Sequence, residues 1–581
     1  MPIARALRCV AVGLLFVVSA GAGAEPFADL VMLNGRISTF DTHTGNVQAL
    51  AVVGDRIATS GSNDDIRPWI GPDTKVIDLR LKYVMPGFIE SHGHFVGLGR
   101  SKMELDLTTA RRWDDIVALV AEAAKTAAPD EWIVGRGWHQ EKWDERPTKT
   151  VLGFPTNDTL SAASPDHPVM LVHASGHAAM VNAKALELAG ITQSTPDPDG
   201  GQIIRDDAGQ PIGVLMETAQ SLINAGRTPG ASTDRRQALA DTRRAIELAT
   251  EECLRHGVTS FQDAGSSFFE IDMMADMARN DELGVRLWVM VREPNERLRR
   301  ELPAAKHYRL GHDFFTVGGI KRAMDGALGN RGAWMLKPYT DAPETSGLAI
   351  ADPADIAETA AIALEQGLQM CVHAIGDRAN REVLDIYERL FKAHPEKTDL
   401  RWRIEHAQHL SPLDTPRFGE LHVIASMQGI HCTSDGPWVI DRIGRERAEM
   451  GAYVWQKLIE TNAIIINGTD TPVEPIDPIA CIHASVTRQM PDGTFFFPGE
   501  AMTRAQALHS YTNLAAYGAF EDDIKGSISP NKLADLVVLS EDLLHCPTEQ
   551  LRQARVLMTI VGGKIVYEAT PSDLAPTSTS P

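Results

Sequence analysis

Eight short apolar runs, separated by helix-like stretches, constrain the fold of this chain more than any other feature. Amphipathic stretches such as DIAETAAIALEQG and REVLDIYERLFKAH fall between most of the runs. Buried strands that alternate with helices predict a (β/α)8 barrel of the TIM type, in the α/β class. A doubly wound sheet is the alternative, but no GxGxxG turn follows the early strands. The runs are VMPGFIES (84–91), GVTSFQDAG (257–265), VRLWVMV (285–291), FTVGGIKRAMDG (315–326), LQMCVHAIGD (368–377), RWRIEHAQ (401–408), HVIASMQGIH (422–431) and AIIINGTDT (463–471).

Both ends of the chain and one long internal segment depart from this repeat. Short β-rich stretches with tight turns at 25–84 and 521–569 predict one composite β-sandwich built from both ends, around a barrel at 85–520. Residues 98–255 separate the first barrel strand from the second, so they predict a subdomain inserted on the first βα loop. Such a barrel has its active site at the carboxyl ends of the strands, where this insertion could cover it. The polar, proline-rich tail 570–581 is predicted to be disordered.

Residues 1–24 have the pattern of a signal peptide. Arg5 and Arg8 precede the apolar run CVAVGLLFVVSA, and Ala22-Gly23-Ala24 forms a small-residue cleavage site. The apolar run is shorter than the roughly 20 residues of a spanning helix. We therefore expect cleavage after Ala24 and export to the periplasm or the medium, with no membrane association of the mature chain.

The charge balance limits the classes of partner. The formal net charge is −21 over 581 residues, which argues against a general nucleic-acid binder. A small-molecule substrate is the expected partner. A homo-oligomer is allowed, and the sequence does not determine the oligomeric state.

Side chains that commonly bind metals stand at the ends of the barrel runs. Because the carboxyl ends of barrel strands meet at one mouth, these side chains are expected to converge there. The HGH motif alone is a weak signal, but the joint pattern predicts a centre for one or two divalent metal ions, with zinc as the expected metal. The predicted ligands are His92 and His94 after the first run, Lys321 in the fourth, His373 in the fifth, His406 in the sixth and Asp470 after the eighth.

Three residues, Asp470, His177 and His431, have expected catalytic roles. A divalent ion lowers the pKa of bound water to about 7, and Asp470 can carry the proton to a leaving nitrogen. His177 and His431 are expected near the mouth, where each could polarise a carbonyl oxygen or bind a carboxylate. The alternative for both is a loop histidine satisfied by backbone groups. Arg331 could bind an anionic substrate or pair with a surface acid.

Several motifs carry a resemblance to a known family. PGFIESHGHF, GGIKRAMDGALGNRGA, CVHAIGDRANREVLD, RIEHAQHL and GTDTPVEPIDP resemble the amidohydrolase superfamily, and within it amidohydrolase family three, which includes metal-dependent hydrolases similar to N-substituted formamide deformylase. The resemblance covers nearly all of the mature chain. It implies one or two divalent metals, bridged in binuclear members by a carboxylated lysine whose place Lys321 occupies. The alternatives are a Lys321–Asp325 pair, a mononuclear site, or a bridge from Glu217.

The expected function is metal-dependent hydrolysis of a non-peptide C–N bond, of amide, N-acyl or formamide type, by a metal-bound hydroxide. Hydrolysis of an ester, lactone or cyclic amide, or deamination, would use the same site and differ in pocket shape. An exported binding protein that keeps the barrel without turnover is the alternative from another class.

Overall fold

The central feature of the computed structural model is a barrel of eight parallel strands in sequential order. The model describes residues 27–226, 235–571 and 573, so the predicted signal peptide and most of the predicted tail lie outside the described residues. The predicted (β/α)8 fold is confirmed, and each of the eight runs contributes one strand to the barrel. The barrel strands are Phe88–Gly93, Val258–Ser266, Arg286–Val291, Phe315–Ala323, Gln369–Ala374, Arg403–His406, Ile424–Met427 and Ile465–Asn467.

The barrel is closed at its mouth by the segment that follows the eighth strand. The amide of Asp470 donates to the carbonyl of His92 at 2.8 Å, and the amide of His94 donates to the carbonyl of Thr471 at 2.7 Å. We call this junction between the first strand and residues 470–471 the seam. Three candidate metal ligands, His92, His94 and Asp470, therefore take part in the seam through their backbone.

Helices cover the barrel, and local sequence determines where they begin and end. Helix Pro353–Gln366 begins with Asp352, whose side chain accepts from the amide of Ala354, and it ends at Gly367 with φ +67°.

None of the helices in the described residues is long and apolar enough to cross a bilayer. The principal helices are Phe95–Ser101, Arg235–Arg255, Phe268–Arg279, Asn295–Ala305, Pro353–Gln366, Asp377–Ala393, Thr415–Glu420, Gly429–Ile443, Arg445–Gly451, Trp455–Glu460, Pro478–Thr487, Arg504–Ser510 and Asn513–Gly518.

The predicted composite β-sandwich is present and draws strands from both chain ends. One core contains Met32 and Val52 from the first end and Val538 and Ile560 from the second. Its six-stranded sheet has the order Lys564–Glu568, Val556–Val561, Leu536–Leu539, Tyr83–Pro86, Arg36–Ser38 and Asn46–Val47. Its four-stranded sheet has the order Arg56–Gly61, Ala49–Val53, Leu30–Leu33 and Lys75–Asp78.

The first apolar run is divided between the sandwich and the barrel. Tyr83–Pro86 belongs to the sandwich sheet and Phe88–Gly93 to the barrel, so the run is two strands rather than one. Gly87 separates them at a point where a Cβ atom would lie 2.2 Å from the hydroxyl oxygen of Thr259. Apolar content alone does not reveal this break, because both halves are buried.

The segment 98–255 contains a separate six-stranded sheet above the first barrel strand. Trp138 is fully buried in its core and its ring stacks on that of Trp143 with centroids 6.2 Å apart, so both tryptophans pack the interior of the insertion. The last helix, Arg235–Arg255, packs on Phe95–Ser101 and so covers the barrel. The sheet order is Gly201–Arg205, Pro211–Glu217, Ala178–Val181, Val169–His173, Ile133–Trp138 and Leu105–Asp106, and the short helices are Trp113–Ala124, Asp158–Ala163 and Ala183–Leu188.

Candidate metal centre

Three buried side chains from three parts of the barrel meet at its mouth. Ligand atoms of His92, His406 and Asp470 all lie within 4.8 Å of one another. Asp470 Oδ1 is 3.4 Å from Nε2 of His92 and 3.3 Å from Nε2 of His94. The ring of His373 lies 4.4 Å from that of His406, centroid to centroid. The structure therefore brings together five of the six predicted ligands.

Several atoms in this cluster are buried without a hydrogen-bond partner in the described residues. They are Nε2 of His92, Nε2 of His373 and Oδ1 of Asp470. Leaving a buried polar atom unsatisfied costs about 1–3 kcal/mol, so such atoms call for a partner. Imidazole nitrogens and carboxylate oxygens are the donors that zinc and similar divalent cations accept. The donor set therefore fits a divalent metal ion.

Two residues that sequence reasoning missed orient the histidines from behind. His92 Nδ1 donates to Glu405 Oε2 at 2.5 Å, and His406 Nδ1 donates to Gln428 Oε1 at 2.7 Å. With the proton on Nδ1, each ring directs the Nε2 lone pair into the cluster, which is the usual arrangement behind a metal-binding histidine. A buried acid inside the strand RIEH is the one sequence signal that could have indicated Glu405.

Most protonation states in the cluster suit metal binding. The exception is His92: burial and the charge of Lys321 would lower its pKa, but Glu405 and Asp470 outweigh them and raise it. Burial lowers the pKa of His373 and of His406 well below the ordinary value and lowers the pKa of His94 to about 4. These imidazoles are therefore neutral, the form that binds a cation. Burial alone would raise the pKa of Asp470, but the neighbouring histidines hold it well below its usual value, so the carboxylate is ionised.

Lys321 lies on the fourth barrel strand beside this cluster. Its side chain is 4% exposed, and its amine makes no hydrogen bond or ion pair with any described residue. Burial lowers its pKa and the charge of Arg292 acts in the same direction, while Glu405 and Asp470 oppose them. A lowered pKa makes the neutral amine more accessible, as carboxylation requires.

Two of the three alternatives to a Lys321 bridge involve carboxylates, Asp325 and Glu217, that have other partners. Asp325 accepts hydrogen bonds from the backbone amides of Trp334, Ile375 and Gly376, so it does not pair with Lys321. Glu217 binds a histidine of the insertion instead of reaching the ligands: His177 Nδ1 donates to Glu217 Oε2 at 2.7 Å.

His177 reaches the barrel mouth from the insertion. Its ring lies 5.1 Å from that of His373, and Asn330 holds the second oxygen of Glu217 at 3.2 Å. Burial alone would lower the pKa of His177, but the adjacent Glu217 carboxylate outweighs it and raises the pKa. The Glu217 carboxylate therefore favours the imidazolium form of a ring that lies beside the candidate ligands.

His431 lies in the first turn of helix Gly429–Ile443. Gln408 Nε2 donates to its Nδ1 at 3.0 Å, and its Nε2 is buried without a partner in the described residues. Because Nδ1 accepts, Nε2 of a neutral ring carries the proton. The ring stacks 6.3 Å from that of His406, so this donor also lies at the barrel mouth.

Two cavities meet at the candidate ligands. One, of about 60 Å³, has His177, His431 and Asp470 on its polar side and Leu328, Ile375 and Trp438 on its apolar side. The other, of about 460 Å³, is lined by five of the predicted ligands, which are His94, Lys321, His373, His406 and Asp470. A small molecule bound here would contact both the candidate metal centre and the two histidine donors.

Comparison with known proteins gives matches over nearly the whole chain. The model of the amidohydrolase family matches residues 75–567. Protein LONG AFTER FAR-RED 3 of Arabidopsis thaliana is 34% identical, covering 93% of this chain and 92% of that protein. N-substituted formamide deformylase of Arthrobacter pascens is 26% identical, covering 94% and 99%. An uncharacterized metal-dependent hydrolase of Pyrococcus horikoshii has a crystal structure with TM-score 0.71 and 26% identity, covering 90% and 99%.

Proposed function

The chain belongs to the amidohydrolase family, and from that premise we propose that it hydrolyses an amide, N-acyl or formamide-type C–N bond of a small molecule. The observation that carries the proposal is the meeting of His92, His406 and Asp470 at the barrel mouth. Buried ligand atoms of His92, His373 and Asp470 there have no hydrogen-bond partner among the described residues. Its similarity to N-substituted formamide deformylase supports a C–N bond as the target.

The proposed metal is zinc, held by the six predicted ligands. His92, His94 and Asp470 would bind one ion and His373 and His406 a second, with a carboxylated Lys321 between them. A cation bound there would activate water and polarise a carbonyl group. Carboxylation of Lys321 is supported by its lowered pKa and by the lack of a hydrogen bond from its amine to any described residue.

Asp470 is the proposed proton carrier. Its carboxylate is ionised and buried, and its Oδ1 has no hydrogen-bond partner in the described part of the chain. It can therefore accept a proton from the attacking water as the new C–O bond forms. It would return that proton to the nitrogen as the C–N bond breaks, so that the products are a carboxylic acid and an amine.

His177 and His431 are the proposed donors to the carbonyl oxygen. A donor fixed in place before the reaction stabilises the negative charge that develops on this oxygen in the transition state. Glu217 fixes His177 and Gln408 fixes His431, so neither donor must be reoriented during the reaction. Both side chains line the cavity that Asp470 also lines.

Other reactions remain as alternatives at the same residues. An ester, a lactone, a cyclic amide or an amino-substituted ring could meet the same nucleophile and donors. A non-catalytic exported binding protein is the alternative from a different class.

A metal analysis combined with a substrate screen tests the proposal. We expect the purified protein to contain one or two equivalents of zinc per chain and to hydrolyse N-substituted formamides or N-acyl amines in preference to esters, lactones and amino-heterocycles. Replacing His92 and His94 by Ala should remove metal and turnover together while the far-UV circular dichroism stays that of the parent. Full turnover by metal-stripped parent protein would refute the proposed chemistry.

We also propose export, on the sequence of residues 1–24 alone. N-terminal sequencing of the periplasmic or secreted protein should begin at Glu25. A mature protein that retains Met1 in the cytoplasm would contradict it.

A further inference from the structure

The larger cavity beside the candidate ligands is lined by an arginine whose side chain has no hydrogen-bond or ion-pair partner among the described residues. Arg292 lines this cavity of about 460 Å³ together with Lys321 and Asp470. It directly follows the third barrel strand, where Val291 is in register with Ile320, the neighbour of Lys321. Its side-chain atoms also pack closely against Gly265, which comes at the end of the second strand. Arg292 is therefore placed at the level of the ligands, one strand away from Lys321.

The guanidinium of Arg292 makes no hydrogen bond or ion pair with any described residue, although the side chain is exposed to the cavity. The acids whose charges act on it are Asp263 and Glu217. Asp263 accepts from the amide of Phe95 and the hydroxyl of Ser266, and Glu217 accepts from His177. The five N–H donors of this cavity-lining guanidinium therefore have no acceptor among the described residues.

Other arginines nearby show that partners are normally supplied. Arg100 lines the same cavity but pairs with Glu270 at 2.9 Å. Arg331, a candidate for anion binding from the sequence, pairs with Asp341 at 2.7 Å.

Arg136, on the cavity wall formed by the insertion, donates once, to the carbonyl of Ala174 at 3.1 Å, and its buried Nε has no partner in the described residues. Arg136 thus adds further donor capacity to that of Arg292.

We propose that Arg292, assisted by Arg136, binds a carboxylate of the substrate, which makes the preferred substrate an anionic amide. This inference rests on the proposed function and deepens it by naming the substrate class. A guanidinium matches a carboxylate in geometry and can bind it through two parallel hydrogen bonds. Asp470 and Glu217 line the same cavity, and their charge favours a monoanion over a more highly charged phosphate. The uncharged part of the substrate would lie against Leu328, Ile375 and Trp438 in the smaller cavity.

Matched substrates that differ only in charge test the proposal. We choose N-formylglycine, N-formyl-β-alanine and N-formyl-γ-aminobutyrate, whose carboxylates lie at increasing distance from the scissile bond, and the primary carboxamide of each. The metal-loaded parent should prefer at least one acid to its carboxamide in kcat/KM. In R292Q this preference should fall roughly 10- to 100-fold, mainly through KM, because a charged hydrogen-bonded pair is lost. R292K should be intermediate, since an ammonium cannot form the paired contact.

R100Q is the matched control. In the parent, the Arg100 guanidinium borders the same cavity but already forms an ion pair with Glu270. R100Q should retain the parent preference for acids within about twofold, whereas R292Q should not. Loss of metal from R292Q, with equal loss of turnover on acids and carboxamides, would overturn the proposal and assign Arg292 to the ligand cluster.

Binding of N-acetylglycine and of N-acetylglycinamide to metal-depleted protein, measured by calorimetry, supplies a readout that does not depend on turnover. The parent should bind the acid more tightly than the amide, and R292Q should bind both alike. If no amide is hydrolysed but this difference is seen, the anion site stands and the proposed function fails. If neutral formamides are hydrolysed while acids gain nothing from Arg292, the proposed function stands and the anion site fails.

Discussion

Replacing Glu405 by Gln perturbs the metal centre through a residue that is not itself a ligand. Glu405 and His92 are both fully buried, and Oε2 accepts from His92 Nδ1 at 2.5 Å. Burial alone would raise the pKa of Glu405, but the charges of His92, Arg403 and Lys321 lower it overall, so the group is a carboxylate. Glutamine keeps the volume and one acceptor oxygen but removes the charge.

The magnitude follows from this geometry. Removing the partner behind a metal-binding histidine lowers metal affinity 10- to 100-fold, which corresponds to about 1.4–2.7 kcal/mol. We expect the upper part of that range. Because neither side chain is exposed, solvent cannot reach His92 to compensate for the lost carboxylate charge. Arg403 is 3.9 Å from Oε1 and would lose its neighbouring anion as well.

The assay is competition between the protein and a chromophoric chelator for zinc, with parent, E405Q and E521Q compared. Glu521 is the matched control, because it is a buried carboxylate that pairs with Lys525 at 2.5 Å and touches none of the candidate ligands. E521Q should bind zinc as the parent does, and E405Q should release it at a lower chelator concentration.

Two results would refute the reasoning. Zinc affinity of folded E405Q within twofold of the parent would show that Glu405 does not act on His92 as a ligand. An equal loss in E521Q would show that removing any buried carboxylate has the same effect, through the stability of the fold.

Three further predictions follow from the same site. Asp470→Asn should lower kcat roughly 10²- to 10⁴-fold with little change in KM, less for substrates with good leaving groups, because the amide cannot carry the proton; near-parental rates on amides would assign the proton transfer elsewhere. If turnover needs the His177 imidazolium, activity is lost as the pH rises through the raised pKa of His177. Glu217→Gln removes the charge that raises this pKa, so the alkaline loss in the kcat/KM profile should move to lower pH. An unchanged alkaline limb would contradict the role of His177 as a charged donor. Lys321→Ala should lower the zinc content toward one per chain, and added short carboxylic acids should restore part of the rate; unchanged metal content and rate would argue against a bridge.

The barrel could be predicted from sequence because its strands are buried on both faces. Such strands appear as short apolar runs, and the position of each histidine or acid at the end of a run gives its height in the barrel. The convergence of His92, His406 and Asp470 follows from that rule without any knowledge of side-chain contacts.

The partners of these residues could not be predicted in the same way. Glu405 and His92 lie on different strands, and Gln428 supports His406 from the next strand, so no local pattern connects them. The same holds for Arg292, whose distinctive property is the absence of a partner among the described residues. The sequence offers Glu217 as an alternative bridge, but its contact with His177 depends on how the insertion packs over the barrel.

The seam also has a consequence for the order in which the protein assembles. His92 and Asp470 are about 380 residues apart in the chain, yet their backbones are hydrogen-bonded and their side chains adjoin. Contacts between such distant segments form late, because a long loop must close before they contribute stability. A ribosome-bound chain that ends before residue 470 therefore lacks an essential part of the centre, whatever the state of its other domains. We therefore expect the metal to bind only after the chain is complete, and to stabilise the closed barrel by linking its first strand to the segment after its eighth.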